Sequence, residues 1–224
     1  MDNNLFENVL ASEHPEIILE SARPFMELMM YYRCAMKEIR TKLEILDAEL
    51  SMHSRHNPFE SIKCRIKGPM SIVNKMKRKN LEFSLKNIEE NIFDVAGVRV
   101  ICSFKSDIYK LAENLMNQDD VTVCEIKDYI KNPKPNGYRS LHLIVEIPIF
   151  LSRDKKFVKV EVQFRTIAMD FWASLEHKIK YKKDIPDAEE IVSQLKACAD
   201  EICEMDDKMQ DIRDRIDDIM ENTK

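Results

Sequence analysis

Two stretches with helical periodicity, one near each end of the chain, do most to limit what this sequence can fold into. In both, apolar residues alternate at spacings of three and four, which lines them up along one side of a helix. The N-terminal stripe follows Pro24 and comprises Phe25, Met29, Tyr32, Met36, Ile39, Leu43, Leu46 and Leu50. The C-terminal stripe has acidic flanks and comprises Leu195, Cys198, Ile202, Met205, Met209, Ile212, Ile216 and Ile219. We therefore predict a long helix at each end, which packs on its own domain, joins subunits, or does both.

The region between these helices is rich in β-branched and aromatic residues, which favour strands. Turn-forming residues separate four such segments, at 98–104, 121–129, 141–147 and 157–165. Helical patterns occupy 106–116 and about 167–181. The combination predicts an α+β fold with a mixed β-sheet of about five strands flanked by helices. Because the chain shows no repeat and no low-complexity linker, we predict a single domain over 1–224, with a core at about 32–183 and a C-terminal helical extension at about 187–221.

The cysteines and the hydropathy pattern exclude several classes of protein. The 6 cysteines are scattered, without a Cys-x-x-Cys pair or a Cys/His spacing suited to zinc, which predicts free thiols in a reducing compartment. No apolar run is long enough to span a bilayer, and residues 1–10 lack the basic and apolar regions of a signal peptide. We therefore expect a cytoplasmic protein that does not interact with a membrane.

Glycine is scarce, with 3 in the whole chain. Walker loops, dinucleotide-binding turns and kinase glycine loops all need clustered glycines, so that backbone N–H groups can wrap phosphate, and these motifs are excluded. Any phosphate must therefore be held by side chains. Although the net charge is -5, residues 61–81 contain seven basic residues and no acidic one. Acidic residues are concentrated in 186–224, where they outnumber basic ones thirteen to five.

The basic segment is predicted to place polar side chains on one side of a short helix that starts at 68–69, where proline is tolerated in the first turn. The converging side chains are Arg65 and Lys67, from the preceding loop, and Ser71, Lys75 and Arg78, from the helix. Such a cluster at a helix N-terminus suits a triphosphate. Lys77 and Lys79 fall off this side and fit a solvated face. For the segment alone, a solvated basic surface or an RNA-binding patch is the simpler interpretation.

Two carboxylates are candidates for a metal site. Asp94 lies at the entrance to a predicted strand in which Arg99 belongs to the polar face, and Glu161 belongs to the polar row of another strand. Separately, a structural Asp–Arg pair and an ordinary solvent-facing strand explain them. Together, two carboxylates and Mg²⁺ beside a cluster of cations are the minimum equipment for phosphoryl transfer.

The turn before the third predicted strand gathers groups suited to a nucleotide. Tyr138 offers an aromatic face for a base, Arg139 a guanidinium group for phosphate, and His142 an imidazole at the strand start. Lys131 and Lys134 lie upstream. A buried tyrosine and a hydrogen-bonded core histidine are the structural alternatives, but the density of such groups in one turn favours function.

Taken in order, these motifs resemble the synthetase domain of the RelA/SpoT alarmone enzymes. The resemblance covers about residues 32–183 and comprises the basic stripe, Asp94-x-Ala-Gly-x-Arg99, Gly137-Tyr138-Arg139-Ser140-x-His142, the segment from Val160 to Thr166, and Phe171-Trp172-Ala173-x-x-Glu176-His177. No histidine is followed by aspartate, so the His-Asp pair of the family's hydrolase part is absent. The chain resembles a stand-alone small alarmone synthetase of the RelP or RelQ type, and residues 168–177 favour RelP.

The resemblance implies a nucleotidyltransferase-like synthetase fold that moves pyrophosphate from ATP to the ribose 3′-hydroxyl of GTP or GDP, releases AMP, and serves stringent-response signalling without hydrolase activity. By similarity, ATP is bound by Arg65, Lys67, Ser71, Lys75, Arg78 and Arg99. The guanine nucleotide is bound by Lys131, Lys134, Tyr138, Arg139, His142 and Gln163, with Tyr138 stacking on the guanine. Asp94 and Glu161 become the Mg²⁺ ligands and catalytic residues, and Glu161 orients or deprotonates the attacking hydroxyl.

Two other classes of function remain open from the sequence. The basic patch at 61–81 and the aromatic turn could bind RNA as a regulatory module without catalysis. That interpretation gives no role to Asp94 and Glu161, which would repel phosphate in the absence of a metal. The chain could also be a helical scaffold joined through 195–219. The resemblance suggests a homotetramer, with which the terminal helices are consistent.

Overall fold

The computed structural model describes residues 15–53, 56–180 and 188–222. The helices are α1 (Pro15–His53), α2 (Pro69–Arg78), α3 (Leu85–Asn91), α4 (Lys105–Met116), α5 (Ile167–Lys180) and α6 (Ala188–Glu221). The strands are β1 (Phe59–Ile66), β2 (Ala96–Cys102), β3 (Thr122–Asp128), β4 (Leu141–Phe150) and β5 (Lys155–Thr166). The expectation for residues 1–10 lies outside the described residues, as do 181–183 of the predicted core and 187 of the predicted extension. None of the described helices is long and apolar enough to cross a membrane.

The five strands of the described chain form one mixed sheet in the order β1-β2-β5-β4-β3. β2 and β5 run parallel, and the other neighbouring strands are antiparallel. The register sets Gly97 opposite Glu161 and Arg99 opposite Gln163. The predicted α+β class and the mixed sheet of about five strands are confirmed.

Alternation along the strands gives the sheet an apolar face and a polar face. Val98, Val162 and Phe164 are buried on the apolar face, and α1 packs across β1, β2, β4 and β5. The predicted stripe of α1 supplies fully buried side chains, among them Ile39 and Leu43. Burial of one such side chain contributes about 1.5–3 kcal/mol, so the core fixes the sheet while the polar face stays available for chemistry.

Two element boundaries differ from the sequence interpretation. The assignment of Arg65 to a loop is wrong, because this residue lies in β1, at the edge of the sheet. Charged side chains alternate there with half-buried apolar ones, as is common at sheet edges, and the charge obscures the strand pattern. α1 begins at Pro15 and continues through Pro24, at the cost of one backbone hydrogen bond.

The C-terminal helix packs on its own domain through Asp206, which lies outside its predicted apolar stripe, and through the backbone of Leu195, which belongs to the stripe. Thr166 Oγ1 donates to Asp206 Oδ2 at 2.6 Å, and Trp172 Nε1 donates to the Leu195 carbonyl at 2.9 Å. Much of the predicted stripe is exposed instead, namely Cys198, Met205, Met209, Ile212, Ile216 and Ile219. The apolar spacing in α6 therefore does not mark the side that contacts this domain.

Candidate active site

A cavity of about 300 Å³ opens on the polar face of the sheet. It is lined by Lys63, Cys64, Arg65, Lys67, Asp94, Gly97, Val98, Arg99, Glu161 and Gln163. The strand register explains the cavity, because Gly97 pairs with Arg65 on one side and with Glu161 on the other. Gly97 has no side chain to fill the space between a cation from β1 and a carboxylate from β5.

Asp94, just before β2, is held by two lysines. Its Oδ2 lies 2.9 Å from Lys67 Nζ and 2.8 Å from Lys75 Nζ. Burial disfavours the ionised carboxylate, but the hydrogen bonds from the lysines outweigh it, so the pKa of Asp94 lies below its ordinary value. The other oxygen, Oδ1, is buried and has no hydrogen-bond partner within the described chain. An ionised carboxylate with one unsatisfied oxygen is suited to bind a hard cation.

A wider groove of about 600 Å³ adjoins the cavity along α2. Its lining residues are Arg65, Lys67, Ser71, Asn74, Lys77 and Arg78, and the first two also line the cavity. α2 begins at Pro69 with Gly68 as its N-cap, which confirms the predicted helix start. Lys75 faces Asp94 and not the groove, whereas Lys77, assigned from spacing to a solvated face, lines it.

A closed ring of hydrogen bonds includes Glu161. Its Oε1 lies 3.2 Å from His142 Nδ1, and its Oε2 accepts from Gln163 Nε2 at 2.7 Å. On the other side of the imidazole, His142 Nε2 lies 2.7 Å from the Tyr138 hydroxyl. Arg165 closes the ring, because its Nη2 donates to the Tyr138 hydroxyl at 2.7 Å and to Gln163 Oε1 at 3.0 Å.

The ring sets the protonation states of its members. Burial lowers the pKa of His142 despite the neighbouring carboxylate, so the imidazole is neutral at pH 7. Tyr138 accepts from Arg165 and therefore donates its own proton to His142 Nε2, which leaves Nδ1–H to donate to Glu161. Burial disfavours ionised Glu161, but the hydrogen bonds from His142 and Gln163 outweigh it and lower its pKa. Glu161 is therefore an ionised carboxylate with a fixed orientation.

Tyr138 also belongs to an aromatic cluster beside the ring. It lies edge-on to Tyr129 and His142, with ring centroids 6.0 and 5.8 Å away. Lys134 Nζ lies 4.5 Å from the Tyr129 centroid and 4.9 Å from that of Tyr138, and the Arg165 guanidinium lies 5.1 Å from the latter. Stacking of guanine on Tyr138 stays a prediction. A base placed there would share the Tyr138 aromatic ring with Lys134 and Arg165.

Two of the residues assigned to the guanine nucleotide lie apart from this cluster. Arg139 Nη2 pairs with Asp200 of α6 at 3.2 Å. Lys131 Nζ lies 5.1 Å from the Tyr109 ring centroid and 3.8 Å from Asp128. Neither side chain lines the cavity or the groove. Their role in binding the nucleotide stays a prediction.

Sequence reasoning did not single out Asp170, in the first turn of α5. Its Oδ1 accepts from Arg99 Nη1 and from Arg165 Nη1, each at 3.1 Å, and its Oδ2 accepts from Lys63 Nζ at 3.1 Å. Burial disfavours the ionised form, but Lys63 and the two arginines lower the pKa below its ordinary value. The only signal in the sequence was its place within the segment 168–177. Its three partners come from three different strands, so no local spacing indicated the cluster.

Comparison with known proteins places these motifs in context. A family model described as "Region found in RelA / SpoT proteins" matches residues 64–186. The GTP pyrophosphokinase YwaC of Bacillus subtilis is 47% identical over 191 residues, which cover 84% of this chain and 90% of the relative. The crystal structure of small alarmone synthetase 2 from B. subtilis has a TM-score of 0.76 at 44% identity, covering 85% of this chain and 98% of the other. Small alarmone synthetase 1 from B. subtilis, bound to its product pppGpp, has a TM-score of 0.80 at 34% identity, with coverages of 87% and 98%.

Proposed function

Because the chain belongs to the RelA/SpoT family, we propose that it is a small alarmone synthetase, a GTP pyrophosphokinase that makes (p)ppGpp. It transfers pyrophosphate from ATP to the ribose 3′-hydroxyl of GTP or GDP and releases AMP. One observation carries this proposal: Asp94 and Glu161 line the same cavity, which continues past Arg65 and Lys67 into the basic groove on α2. Carboxylates and a phosphate-binding surface thus meet at one place.

The donor's polyphosphate is assigned to the groove. Arg65, Ser71 and Arg78 line it, and the N-terminus of α2 favours anions at its edge. Lys67 both lines the groove and holds Asp94, so it connects the phosphates to the carboxylate. Lys75 contributes by fixing Asp94, and Arg99 is assigned to the adenine or its phosphates.

Mg²⁺ is assigned to the cavity that both carboxylates line. Asp94 has one buried oxygen without a partner among the described residues, and Glu161 brings a second carboxylate to the same cavity. The described residues include no cluster of three or more His, Cys, Asp or Glu side chains suited to a metal, but Mg²⁺ needs only one or two carboxylates when phosphates complete its shell. Asp94 and Glu161 are the proposed ligands. Bound there, Mg²⁺ would neutralise negative charge on the transferred group.

The acceptor hydroxyl is assigned to Glu161. Its two oxygens are oriented by His142 and Gln163, and each retains a lone pair that the ribose 3′-hydroxyl can use. A carboxylate with a lowered pKa is a weak base, so its main contribution is to orient the hydroxyl and to accept the proton as the bond to phosphorus forms. Tyr138 and Lys134 are assigned to the guanine base, with Lys131 and Arg139 as outer contacts.

We further propose a single domain over 1–224, with a catalytic core at about 32–183 and the extension at about 187–221, in a cytoplasmic homotetramer. α6 contacts α5 and α4, which supports one domain. Its exposed apolar side chains, which include Met205, Met209 and Ile216, support contact with another subunit. The size of the assembly can be measured by light scattering coupled to size-exclusion chromatography.

The decisive experiment is incubation of the purified protein with ATP, Mg²⁺ and either guanine nucleotide, followed by separation of the products by ion-exchange chromatography. AMP and a guanine nucleotide carrying two more phosphates are expected only when both substrates and Mg²⁺ are present. The RNA-binding alternative predicts salt-sensitive binding of RNA and no AMP. Absence of AMP from a folded preparation would refute the proposed activity.

A further inference from the structure

Asp170 does not line the cavity, yet three cations from the polar face of the sheet meet at its carboxylate. Lys63 from β1 contacts one oxygen, and Arg99 from β2 and Arg165 from β5 share the other. Asp170 is 8% exposed and Arg165 is 5% exposed, so solvent contributes little to holding this arrangement. A buried and a half-buried guanidinium group can lie side by side only with a counter-charge between them.

The pKa of Arg99 shows that the two arginines repel each other and that Asp170 offsets this repulsion. Burial lowers the pKa of Arg99, and the neighbouring Arg165 charge lowers it further, whereas Asp170 raises it. Without the carboxylate, the two guanidinium groups would repel each other and separate. Arg99 is half-buried at the cavity and can move outward, whereas the buried Arg165 would be left without its ion-pair partner.

Arg165 connects Asp170 to the ring around Glu161. Its Nη1 donates to Asp170, while its Nη2 donates to Tyr138 and Gln163. Because the guanidinium group is planar and rigid, an anchor at Nη1 also fixes the direction of Nη2. Because Nη2 donates to the Tyr138 hydroxyl, the Tyr138 proton points to His142 Nε2. His142 therefore presents Nδ1–H to Glu161.

We propose that Asp170 is a positioning residue for pyrophosphate transfer, which acts through Arg165 to hold the hydrogen-bond ring that orients Glu161. The proposal rests on the proposed function, since it concerns the orientation of the group assigned to the acceptor hydroxyl. Asp170 itself touches no reacting atom. Its charge and its position in the first turn of α5 tie that helix to the catalytic strand.

The first test compares Asp170→Asn with a matched control, Asp107→Asn. Asp107 is also buried and also pairs with an arginine, Arg213 Nη1 at 3.0 Å, but it lies outside the site. For Asp170→Asn, kcat should fall about tenfold to a hundredfold, the effect expected when a hydrogen bond to a charged group is lost in the transition state. KM for ATP should change much less than kcat, because Lys63 and Arg99 keep their positive charges at the cavity when Asp170 is neutralised. Asp107→Asn should keep the wild-type kcat below its unfolding temperature.

The second test is a double-mutant cycle with Arg165→Lys, which keeps the charge but cannot span both partners. If Asp170 acts through Arg165, Asp170→Asn should change kcat less than about twofold in the Arg165→Lys background. A wild-type kcat in Asp170→Asn, or an equally large loss in both backgrounds, would overturn the proposal. So would a matching loss of kcat in Asp107→Asn.

A third measurement separates failure of this proposal from failure of the proposed function, because it needs no turnover. The ¹⁵N shifts of the His142 ring should report a single Nδ1–H tautomer in the wild-type protein and a mixture in Asp170→Asn, with His142→Asn used for assignment. Unchanged His142 shifts in Asp170→Asn would overturn the proposal even if the wild-type protein makes the expected product. A protein that releases no AMP but shows the tautomer change would instead refute the activity and leave the link from Asp170 to His142 intact.

Discussion

The two sides of the candidate active site are built in opposite ways. On the donor side, the following groove residues make no side-chain hydrogen bond or ion pair within the part of the chain that the structure describes: Arg65, Ser71, Asn74, Lys77 and Arg78. On the acceptor side, the following residues bond to one another in a ring: Tyr138, His142, Glu161, Gln163 and Arg165. An open set of cations can adapt to a flexible polyphosphate, whereas a closed ring fixes the direction in which one hydroxyl attacks. The donor side therefore contributes positive charge for the polyphosphate, and the acceptor side fixes the orientation of the attacking hydroxyl.

The largest effect is expected from Glu161→Gln, which keeps the size of the side chain and removes its negative charge. Turnover should fall by about a hundredfold to ten-thousandfold, the range for loss of a group that accepts a proton in the transition state. Folding and nucleotide binding should be largely retained, as measured by circular dichroism and calorimetry. Glu146→Gln, on the neighbouring strand β4, is the matched control. Normal turnover of Glu161→Gln in a coupled AMP assay would defeat the assignment.

Two substitutions of Tyr138 separate binding of the guanine nucleotide from orientation of the hydrogen-bond ring on the acceptor side. Tyr138→Phe keeps the aromatic face but removes the hydroxyl that joins Arg165 to His142. Its kcat should fall about tenfold, since both hydrogen bonds of that hydroxyl are lost, while guanine-nucleotide affinity is kept. Tyr138→Ala should also weaken guanine-nucleotide binding and spare ATP affinity. Equal loss of both affinities in calorimetry for Tyr138→Ala would contradict stacking on this ring.

Arg78→Ala probes the donor side, where the expected loss is in binding. KM for ATP should rise about tenfold, the effect of one charge-assisted contact to phosphate, while affinity for the guanine nucleotide is unchanged. Lys79→Ala is the control, because Lys79 Nζ donates to the Asn91 carbonyl at 2.9 Å and lies outside the groove. A fall in kcat with constant KM for Arg78→Ala would mean that the donor side also fixes geometry.

The smallest effect is expected from Asp206→Asn, at the contact between α6 and the end of β5. Burial raises the pKa of Asp206, so the folded protein binds this proton more tightly than the unfolded chain and loses stability as the pH rises through the folded-state pKa. Asp206→Asn can still accept from Thr166 without that loss. Its Tm, relative to the wild-type protein, should increase between about pH 4, near the unfolded pKa, and neutral pH, with turnover unchanged.

Asp207→Asn is the neighbouring control for that measurement. It removes an exposed ion pair with Lys105 at 2.5 Å and should show no such pH-dependent gain in Tm. A decrease in the Tm of Asp206→Asn at neutral pH would show that the charge itself stabilises the contact between α6 and β5.

Local patterns predicted much of the chemistry on the polar face. Strict alternation in β5 placed Glu161 and Gln163 on one face, and the Gly68-Pro69 start aligned Ser71 with Arg78. The scarcity of glycine indicated that side chains would have to hold phosphate, as the lining of the groove illustrates. These features depend on backbone periodicity and residue type, which act over a few residues and can be read directly.

Long-range pairing was decided only by the tertiary structure. The register that sets Gly97 between Arg65 and Glu161, the meeting of three strands at Asp170, and the turn of Arg139 towards α6 all join residues distant in sequence. No local spacing encodes such contacts, because they depend on how the sheet aligns its strands and on where α5 and α6 dock against it. The sequence by itself determined which groups are available and on which face of each element they lie. The tertiary structure decided which carboxylate each cation pairs with, because ion pairs form between charged groups that lie close together in space.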